Sequence, residues 1–287
     1  MQVPTFSVIT PSRNSGTYLE DAILSVTQQE DVTIEHIVQD SLSSDNTLEI
    51  LRQHSHVRWQ WESDCGQSDA INRGFLRATG DLVGWLNADD YYLPGGLAAI
   101  ARAAAEHPEA DVFYGDCVFV DGAGSVVRSK VEHDFDHDIL FYFGCYIPST
   151  ATFFRRRLIE RGYLLDCDFR VCMDFEYFVR LACAGFRFHY VPRFIAAFRW
   201  HEDNVSLQQA ERRLYERLEV QRRHGQRARS QLQMELLRQG VRVKRVLKKI
   251  ASGNAMRELR IRRQRGEPTL WMRSAEVQAK CSSLASL

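Results

Sequence analysis

Short apolar runs alternate with helical patterns along the first 120 residues, and this order constrains the fold more than any other feature of the sequence. Four runs have the length and the β-branched or aromatic content of strands, namely FSVIT at 6–10, EHIVQD at 35–40, VRWQWES at 57–63 and DLVGWLN at 81–87. The segments between them place apolar residues at helical spacing. Because repeated strand–helix units favour parallel pairing, we expect an α/β fold with a mostly parallel sheet flanked by helices.

Each of the four predicted strands runs into polar residues at its carboxyl end. These ends carry Thr10 to Asn14, then Asp40, then Glu62 to Asp64, then Asn87 to Asp90. Ligand sites of open parallel sheets lie beyond the carboxyl ends of the strands. Adjacent carboxylates such as Asp89 and Asp90 repel each other unless water, hydrogen-bond donors or a cation lies nearby. An ordinary turn, with Pro94 opening the next helix, also explains this pair, but four polar ends on one rim favour a ligand site.

Several common classes are excluded by missing patterns. The first predicted strand is not followed by a glycine-rich dinucleotide fingerprint, and the phosphate loop GxxxxGK[ST] is absent. The seven cysteines lack metal-binding spacing, and their odd number indicates buried thiols in a reducing compartment. The sequence contains neither a secretory leader pattern nor a run of about 18 apolar residues. We therefore expect a cytoplasmic protein, or one attached only to the inner face of a membrane.

Beyond residue 110 the pattern changes. Two predicted strands flank an Asp121–Gly122 turn and form a hairpin added to the sheet. STATFFRR is predicted as a strand, Val171 to Ala184 as a helix, and FHYVP and FIAAFRWH as two further strands. We expect residues 1–120 to form the half with the predicted ligand site and residues 121–207 a second half.

Five blocks of the sequence share their order and spacing with one known family. They are FSVITPSRNSGTYLEDAILSVTQQ, HIVQDSLSSDNTLEIL, ESDCGQSDAINRGFLRATGDLVGWLNADD, MDFEYFVRL and RWHEDNVS. This set resembles the family 2 glycosyltransferases of the GT-A fold, in particular the bacterial branch that builds polysaccharides. The resemblance covers about residues 5–206, and it implies a GT-A glycosyltransferase domain at residues 1–207 with a Rossmann-like sheet. In this domain, residues 1–120 form the nucleotide-binding half and residues 121–207 the acceptor half.

The resemblance also implies a reaction. It implies an inverting transfer of a sugar from a nucleotide-sugar donor, with UDP as the expected nucleotide, to a saccharide or lipid-linked acceptor in the synthesis of surface polysaccharides or glycoconjugates. A divalent cation, Mn²⁺ or Mg²⁺, is implied as cofactor, because a hard cation neutralises the diphosphate that leaves. Such cations take oxygen ligands, often one or two carboxylates beside phosphate and water. The residues leave the sugar, the acceptor and the linkage open.

The cation site is expected in Asn87-Ala88-Asp89, which occupies the position of the family's DxD motif. The resemblance implies that Asp89 binds the metal and that Asp90 supports it. Asn87 departs from the motif, because an amide supplies no charge, although it can hydrogen-bond the ribose or a metal-bound water. We assign Asn87 to the donor site.

The remaining donor residues are taken from the other blocks. Asp40 matches the family position that accepts a hydrogen bond from the base, which points to uracil. Pro11 and Ser12 are expected to wall the base pocket, although an ordinary strand-to-helix turn explains them equally well. Asp64 and Asn72 are assigned to the ribose and diphosphate region.

Asp174 is the expected catalytic base. In CMDFEYFVRLA it shares a helical face with Tyr177, Phe178 and Leu181, and a carboxylate in a first helical turn also gains from the helix dipole without any catalytic role. The resemblance places Asp174 opposite the leaving group, where it takes the proton of the acceptor hydroxyl. His201 falls in a block that, in the family, reaches the diphosphate or the metal, so His201 is a second candidate for a metal ligand. A purely structural role explains this histidine equally well.

The C-terminal part differs from the rest of the chain in charge. Residues 208–265 hold 18 Lys and Arg against 5 Asp and Glu, or +13, so the remainder carries −13, because the whole chain has a net charge of zero. Leu232, Leu236, Val243, Val246, Leu247 and Ile250 lie on one predicted helical face. We expect residues 208–287 to form a basic helical extension, with either a solvated face or an affinity for an anionic membrane surface through 208–265. Nucleic acid is a weaker partner, because aromatic residues do not interleave with the basic ones.

Two rival functions stay open on the sequence. A non-catalytic protein that binds nucleotide sugars or anionic surfaces would tolerate the Asn87 change. A nucleotidyltransferase also uses paired carboxylates and a metal on an α/β sheet, and it would release pyrophosphate from a nucleoside triphosphate.

Overall fold

The structure, a computed structural model, describes residues 4–201, 209–225 and 231–265. Its first half alternates strands and helices: β1 (Phe6–Ser12), α1 (Leu19–Thr27), β2 (Ile34–Asp40), α2 (Thr47–Gln53), β3 (Arg58–Trp61), α3 (Gln67–Arg77) and β4 (Leu82–Trp85). Strand β1 pairs in parallel with both β2 and β4, and β2 pairs in parallel with β3. The predicted α/β fold is confirmed, and the carboxyl ends of these strands share one rim.

The second half adds strands of mixed direction. Its elements are β5 (Tyr91–Tyr92), α4 (Gly96–Glu106), β6 (Val112–Val120), β7 (Val126–Lys130), β8 (Thr152–Arg155), α5 (Arg157–Glu160), α6 (Met173–Cys183) and β9 (Phe188–Arg199). The sheet order is β3-β2-β1-β4-β8-β6-β9-β5, with β7 paired to β6 as the predicted hairpin. Strand β8 is antiparallel to both of its neighbours, whereas β9 is parallel to β6.

Two predicted strands in this half differ from the structure. Ser149 to Ala151 form a short 3-10 turn, so β8 begins only at Thr152. The two strands predicted around FHYVP and FIAAFRWH are one continuous strand, β9. Its register on β6 shifts between Val191 and Phe194, because Pro192 lacks the N–H donor that regular pairing needs and a bulge takes up the irregularity.

The core beneath the site is aromatic. Trp85 at the end of β4 stacks on Phe154 of β8, with ring centroids 5.6 Å apart, and Tyr177 and Phe178 of α6 pack around the same pair. All four side chains are fully buried. This packing fixes α6 against the strand that leads into Asn87 to Asp90, so the two segments with the strongest predicted chemistry lie on one rigid support.

Three further helices follow the sheet: α7 (Ala210–His224), α8 (Gln231–Ala251) and α9 (Asn254–Arg265). Their cations pair with acids of the preceding part of the chain: Arg223 with Asp166 at 2.8 Å, Lys244 with Asp136 at 2.9 Å, Arg245 with Glu132 at 2.9 Å and Arg257 with Asp116 at 2.7 Å. The opposite charges of the two parts thus meet within one molecule. The predicted boundary at residues 207 and 208 stays a prediction.

The apolar face predicted for the extension points outward on α8. Leu236, Val243, Val246, Leu247 and Ile250 are each 57 to 65% exposed, while the side chain of Leu232 lies outside the described residues. Residues 202–208, which hold most of the RWHEDNVS block, and residues 226–230 and 266–287 also lie outside them. Within the described ranges, each helix is too short or too polar to cross a membrane.

Candidate active site

A cleft of about 840 Å³ opens at the carboxyl ends of β1 to β4. Its lining includes seven of the residues selected from the sequence: Pro11, Ser12, Asp64, Asn87, Asp89, Asp174 and His201. Asp174 and Asp89 lie 85 positions apart along the chain, yet both face this one cavity. The sheet therefore brings together the predicted donor, metal and base positions.

Asp40 shapes one wall of the cleft from behind. It is fully buried, and its Oδ2 atom accepts hydrogen bonds from the Ser12 hydroxyl at 3.0 Å and from the Ser43 hydroxyl at 2.5 Å. The Ser43 backbone N–H donates to Oδ1 at 2.8 Å. Asp40 thus fixes the turn beside Ser41, which lines the cleft. A base that donates to Asp40 would compete with these serines.

The start of α3 forms the adjacent wall. Asp64 lines the cleft, and its Oδ1 atom accepts the Gly66 N–H at 2.8 Å. Gly66 has a φ of +114°, which strongly favours glycine, and a Cβ atom there would lie only 2.0 Å from Nη1 of Arg170. The absence of a side chain at residue 66 therefore lets Arg170 approach the amino end of α3 inside the cleft.

Asn72 does not line the cleft, contrary to its assignment from the sequence. Its amide nitrogen donates to the Leu165 carbonyl at 2.9 Å, and its amide oxygen accepts the Leu165 N–H at 2.8 Å. Both ends of the buried amide are thus used to hold the chain before α6. We propose no donor contact for Asn72.

The Asn87 side chain joins two elements of the site. Its Nδ2 atom donates to Oδ2 of Asp90 at 2.9 Å, and its Oδ1 atom accepts a hydrogen bond from Nε2 of Gln67 at 2.8 Å. An aspartate at residue 87 would lack the donor and would place a second charge beside the carboxylate of Asp90. The departure from the DxD pattern therefore has a local reason, which is the neighbouring buried acid.

Asp90 lies beneath the metal candidate and is 1% exposed. Its carboxylate accepts hydrogen bonds from Asn87, from the Thr150 hydroxyl at 2.8 Å and from the Arg199 N–H at 2.9 Å. Burial, with a smaller contribution from the charge of Asp89, raises the pKa of Asp90 well above its ordinary value. These contacts link Asp90 to the strand end that precedes His201, as expected for a supporting residue.

Asp89 and His201 form the pair best suited to a metal ion. The Nε2 atom of His201 lies 2.8 Å from Oδ2 of Asp89, about the separation of two neighbouring ligands on one cation. A carboxylate oxygen and an imidazole nitrogen suit Mn²⁺, with phosphate oxygens and water as the remaining ligands. The described residues contain no cluster of three or more acidic, His or Cys ligands. Asp89 and His201 would by themselves supply two ligands to such a cation.

Arg199 was not selected from the sequence, although it holds this pair in place. It is 3% exposed, its Nε atom donates to the Asp89 carbonyl at 2.9 Å, and its Nη2 atom donates to Asp21 at 2.6 Å. Its guanidinium lies 4.5 Å from the ring centroid of Tyr18, a residue that lines the cleft. In the sequence, Arg199 is visible only as a charged residue at the end of the apolar run FIAAF. A solvated residue at a strand end would give the same pattern.

Asp174 lies in the first turn of α6, half-buried at the cleft surface. Its Oδ1 atom accepts the Phe175 N–H at 2.7 Å, and the thiol of Cys145 donates to Oδ2 at 3.6 Å. Burial raises the pKa of Asp174 above its ordinary value, although these two donors oppose the shift. A raised pKa makes a carboxylate a stronger proton acceptor, and Asp174 faces the cleft, where a reacting group could reach it.

The neighbouring acid Glu176 has a structural role. It is buried, and it binds Nε of Arg180 at 2.9 Å and Nε2 of His224 at 3.2 Å. Although burial opposes ionisation, these partners lower its pKa. Glu176 does not line the cleft.

Two cationic side chains of the cleft, Arg13 and Arg170, were missed by the sequence reasoning. Arg13 follows β1, and Arg170 lies four positions before Asp174. Either guanidinium can bind a phosphate or a carboxylate through paired N–H groups. The cleft therefore combines carboxylates for a metal and a proton with cations for an anionic ligand.

Comparison with known proteins agrees with this geometry. Residues 7–167 match the family described as Glycosyl transferase family 2. A PGL/p-HBAD biosynthesis glycosyltransferase of Mycobacterium bovis is 30% identical over 186 residues, which are 63% of this chain and 70% of the relative. An uncharacterized glycosyltransferase of Nostoc is 29% identical over 173 residues, or 56% of this chain. The match spans only about half of the Nostoc protein, 53%.

Solved structures share the fold. The crystal structure of S. aureus TarS 1-349 in complex with UDP-GlcNAc superposes with a TM-score of 0.62 at 18% identity, and it covers 82% of this chain and 70% of that one. A mannosyltransferase from Pyrobaculum calidifontis in complex with GDP-Man and Mn²⁺ superposes with a TM-score of 0.61 at 17% identity, over 100% of this chain and 82% of that one. The GT-A fold predicted from the sequence is confirmed.

Proposed function

Since the chain belongs to the family 2 glycosyltransferases, we propose that it moves a sugar from a nucleotide-sugar donor to a hydroxyl of a saccharide or lipid-linked acceptor, with inversion at the anomeric carbon. The observation that carries the proposal is the shared cleft. The Asp89–His201 pair and Asp174 face the same cavity at the carboxyl ends of the strands. We propose a role in the synthesis of surface polysaccharides or glycoconjugates.

The donor is proposed to lie along the rim formed by β1, β2 and α3. Pro11, Ser12 and the turn fixed by Asp40 are proposed to wall the base, and Asp64 is proposed to face the ribose. Two fold neighbours were solved in complex with UDP-GlcNAc and with GDP-Man, so a panel of both nucleotides is the right first screen. UDP is our first choice.

The diphosphate is proposed to meet Asp89 and His201, which would hold a divalent cation, Mn²⁺ or Mg²⁺, between protein and phosphate oxygens. When bound, such a cation neutralises charge that develops on the leaving diphosphate. The amide nitrogen of Asn87 is held by Asp90, and its amide oxygen accepts from Gln67. We propose that the oxygen binds near the ribose once it has released Gln67.

Asp174 is proposed as the general base. The acceptor hydroxyl attacks the anomeric carbon on the side opposite the diphosphate, the new C–O bond forms as the bond to the diphosphate oxygen breaks, and the hydroxyl proton passes to the Asp174 carboxylate. A single displacement of this kind inverts the configuration. The raised pKa of Asp174, caused by its burial, suits a group that must accept a proton.

The proposed macromolecular partner is an anionic membrane surface that meets the outward face of α8. Val243, Val246, Leu247 and Ile250 are each more than half exposed there. Arg242 on the same helix, like Arg260 and Arg263 on α9, is exposed and forms no ion pair with any described residue. An anionic membrane surface would bind both kinds of group, because it offers apolar lipid to the exposed aliphatic side chains and negative charge to the unpaired cations. A helix face that meets only water has no need of exposed aliphatic side chains.

Turnover of a donor panel tests the proposed function. UDP-glucose, UDP-galactose, UDP-GlcNAc and GDP-mannose are incubated with the full chain and Mn²⁺, and release of nucleoside diphosphate is followed with and without saccharide acceptors. In Asp174→Asn we expect the rate to fall by about a hundredfold to ten-thousandfold while donor affinity stays within about threefold of wild type, because only proton transfer is lost. Asp168→Asn, the same change at a side chain that is 82% exposed, is the matched control.

Other outcomes assign the chain to a rival class. Donor binding without turnover in any arm would indicate a non-catalytic nucleotide-sugar binding protein. Release of pyrophosphate from a nucleoside triphosphate would favour a nucleotidyltransferase.

A further inference from the structure

The contact between α7 and the segment before α6 reaches the site from outside the cleft. Glu216 of α7 is 2% exposed, although it lies in the most basic part of the chain. Its Oε1 atom accepts the Arg170 N–H at 2.9 Å, and its Oε2 atom accepts the N–H groups of Val171 and Cys172, each at 2.8 Å. Three consecutive backbone donors thus converge on one carboxylate that comes from a distant helix.

These donors lie in the segment that leads directly into α6. The first N–H groups of an α-helix have no intrahelical acceptor, and a negative charge there gains from the helix dipole. Helix α6 begins at Met173, and the preceding Cys172 makes no capping hydrogen bond with its own side chain. Glu216 therefore satisfies the backbone N–H groups of the segment that enters α6, and it places a negative charge near the amino end of this helix.

Glu216 is held in its charged form. Although burial opposes ionisation, hydrogen bonds from Arg212 and from the three backbone N–H groups lower its pKa. The Nε atom of Arg212 lies 2.6 Å from Oε1. A charged acceptor with these bonds fixes the backbone more firmly than a neutral one, because charge-assisted bonds are about twice as strong.

The segment that Glu216 holds is a wall of the cleft. Arg170, Val171, Met173 and Asp174 all line the cavity, whereas Glu216 does not. The same helix also holds the chain on the other side of Asp174: Nη2 of Arg217 donates to the Phe143 carbonyl at 2.7 Å, two residues before the Cys145 that contacts Asp174. Both supports of Asp174 are thus anchored on α7.

We propose that Glu216 is a positioning residue for the transfer reaction: by accepting the three N–H groups of residues 170–172, it sets where Asp174 faces the cleft. The inference rests on the proposed function, because it assumes that Asp174 takes a proton there. It also gives α7 a part in turnover, although this helix lies outside the blocks that resemble the family.

Glu216→Gln tests the inference in the full chain. The glutamine has the same shape, but its NH₂ group faces N–H donors, so the segment that leads to Asp174 shifts, whereas Asp64, Asp89 and His201, which carry the proposed donor and metal contacts, make no contact with Glu216. With the panel donor that turns over fastest, we expect kcat per nucleotide-binding site to fall by about tenfold or more, because displacements near 1 Å can cost about a hundredfold. We expect the Kd for UDP with Mn²⁺, measured by calorimetry, to stay within about threefold of wild type.

Two further variants complete the test. Glu219 lies on the same helix and binds Arg222 and Arg223, but it contacts no backbone N–H of the cleft wall. Glu219→Gln should therefore keep the wild-type kcat. Glu216→Asp keeps the charge but is one methylene shorter, and it should show an intermediate kcat even if Glu216→Gln does not fold.

The outcomes separate the inference from the proposed function. A wild-type kcat in folded Glu216→Gln or Glu216→Asp overturns the inference alone, and so does a parallel loss of kcat and UDP affinity, which indicates general unfolding. A wild-type chain that binds UDP but turns over no panel donor contradicts the proposed function, and the inference with it.

Discussion

Oδ2 of Asp89 lies 2.8 Å from Nε2 of His201, although the two residues are 112 positions apart in the sequence. This geometry predicts that UDP and Mn²⁺ stabilise the protein together more than either does alone, because both contact one site. A ligand at a hundredfold excess over its Kd adds about 2.7 kcal/mol to the free energy of unfolding. Thermal shift with UDP, in Mn²⁺ and in chelator, measures the difference.

In Asp89→Asn the joint effect should disappear, while Asp168→Asn, exposed and outside the cleft, should retain it. Equal stabilisation by UDP in Mn²⁺ and in chelator would exclude Asp89 as a metal ligand.

The Cys145 thiol predicts a change in pH dependence. Burial raises the pKa of Cys145, so the thiol stays protonated and donates to Asp174, and this bond opposes the rise in the Asp174 pKa. Cys145→Ala removes the bond, so the pKa of Asp174 should rise further. A base works only when it is ionised, so kcat falls on the acidic side of the pH profile. In Cys145→Ala this acidic limb should therefore lie at a higher pH than in wild type.

The profile of kcat against pH measures this shift. Cys183→Ala changes a thiol that is exposed and distant from the cleft, and it should leave the acidic limb in place. An unmoved limb in Cys145→Ala would mean that the thiol does not influence the base.

Asn87→Asp, which restores the family's acidic pattern, should destabilise this chain. The change removes the donor to the buried Asp90 carboxylate and adds a charge beside it. Loss of one partner of a buried carboxylate costs about 1–3 kcal/mol in the free energy of unfolding. Urea denaturation at pH 7 gives the value.

Asn46→Asp is the matched control, because Asn46 is exposed at the start of α2, where a carboxylate is neutral or slightly favourable. If Asn87→Asp were as stable as wild type, the hydrogen bond to Asp90 would not explain the asparagine.

The outward face of α8 predicts binding to anionic vesicles. Replacing both Val243 and Leu247 with Asp, at positions 60 and 59% exposed, should leave the fold intact. Partition onto vesicles that contain phosphatidylglycerol should fall by about tenfold or more, because each buried methylene contributes about 0.8 kcal/mol. Leu76→Asp introduces one such charge at an exposed leucine of α3 and should bind like wild type. Sedimentation with vesicles at low salt gives the comparison, and a wild-type chain that stays in solution would contradict the proposal.

The parallel half of the fold and the rim of the site could be predicted from the sequence. Strand and helix periodicities are local, and the alternation of β1 to β4 with α1 to α3 follows from them directly. Parallel strands bring their carboxyl ends to one edge, so Ser12, Asp64 and Asp89 could be placed near one another before any contact was known.

Tertiary contacts decided the remainder. The helical pattern and the basic charge of the extension were visible, and they left a solvated face and an anionic membrane surface open as alternatives, whereas the structure packs Lys244 and Arg245 of α8 against Asp136 and Glu132. The sequence shows the charge of each residue and the hydrophobic periodicity of each segment, but it does not show which distant acidic and basic side chains pair. Asn72 was misassigned for the same reason, because its partner Leu165 lies 93 positions away.

The amino-acid sequence by itself determined the βα order, the polar strand ends and the family, since each depends on residues close together in the chain. Only the tertiary structure decided that His201 meets Asp89, that Asn87 binds Asp90, and that Glu216 binds the backbone just before α6. Each of these contacts joins groups through burial and hydrogen-bond geometry, which exist only after the chain has packed.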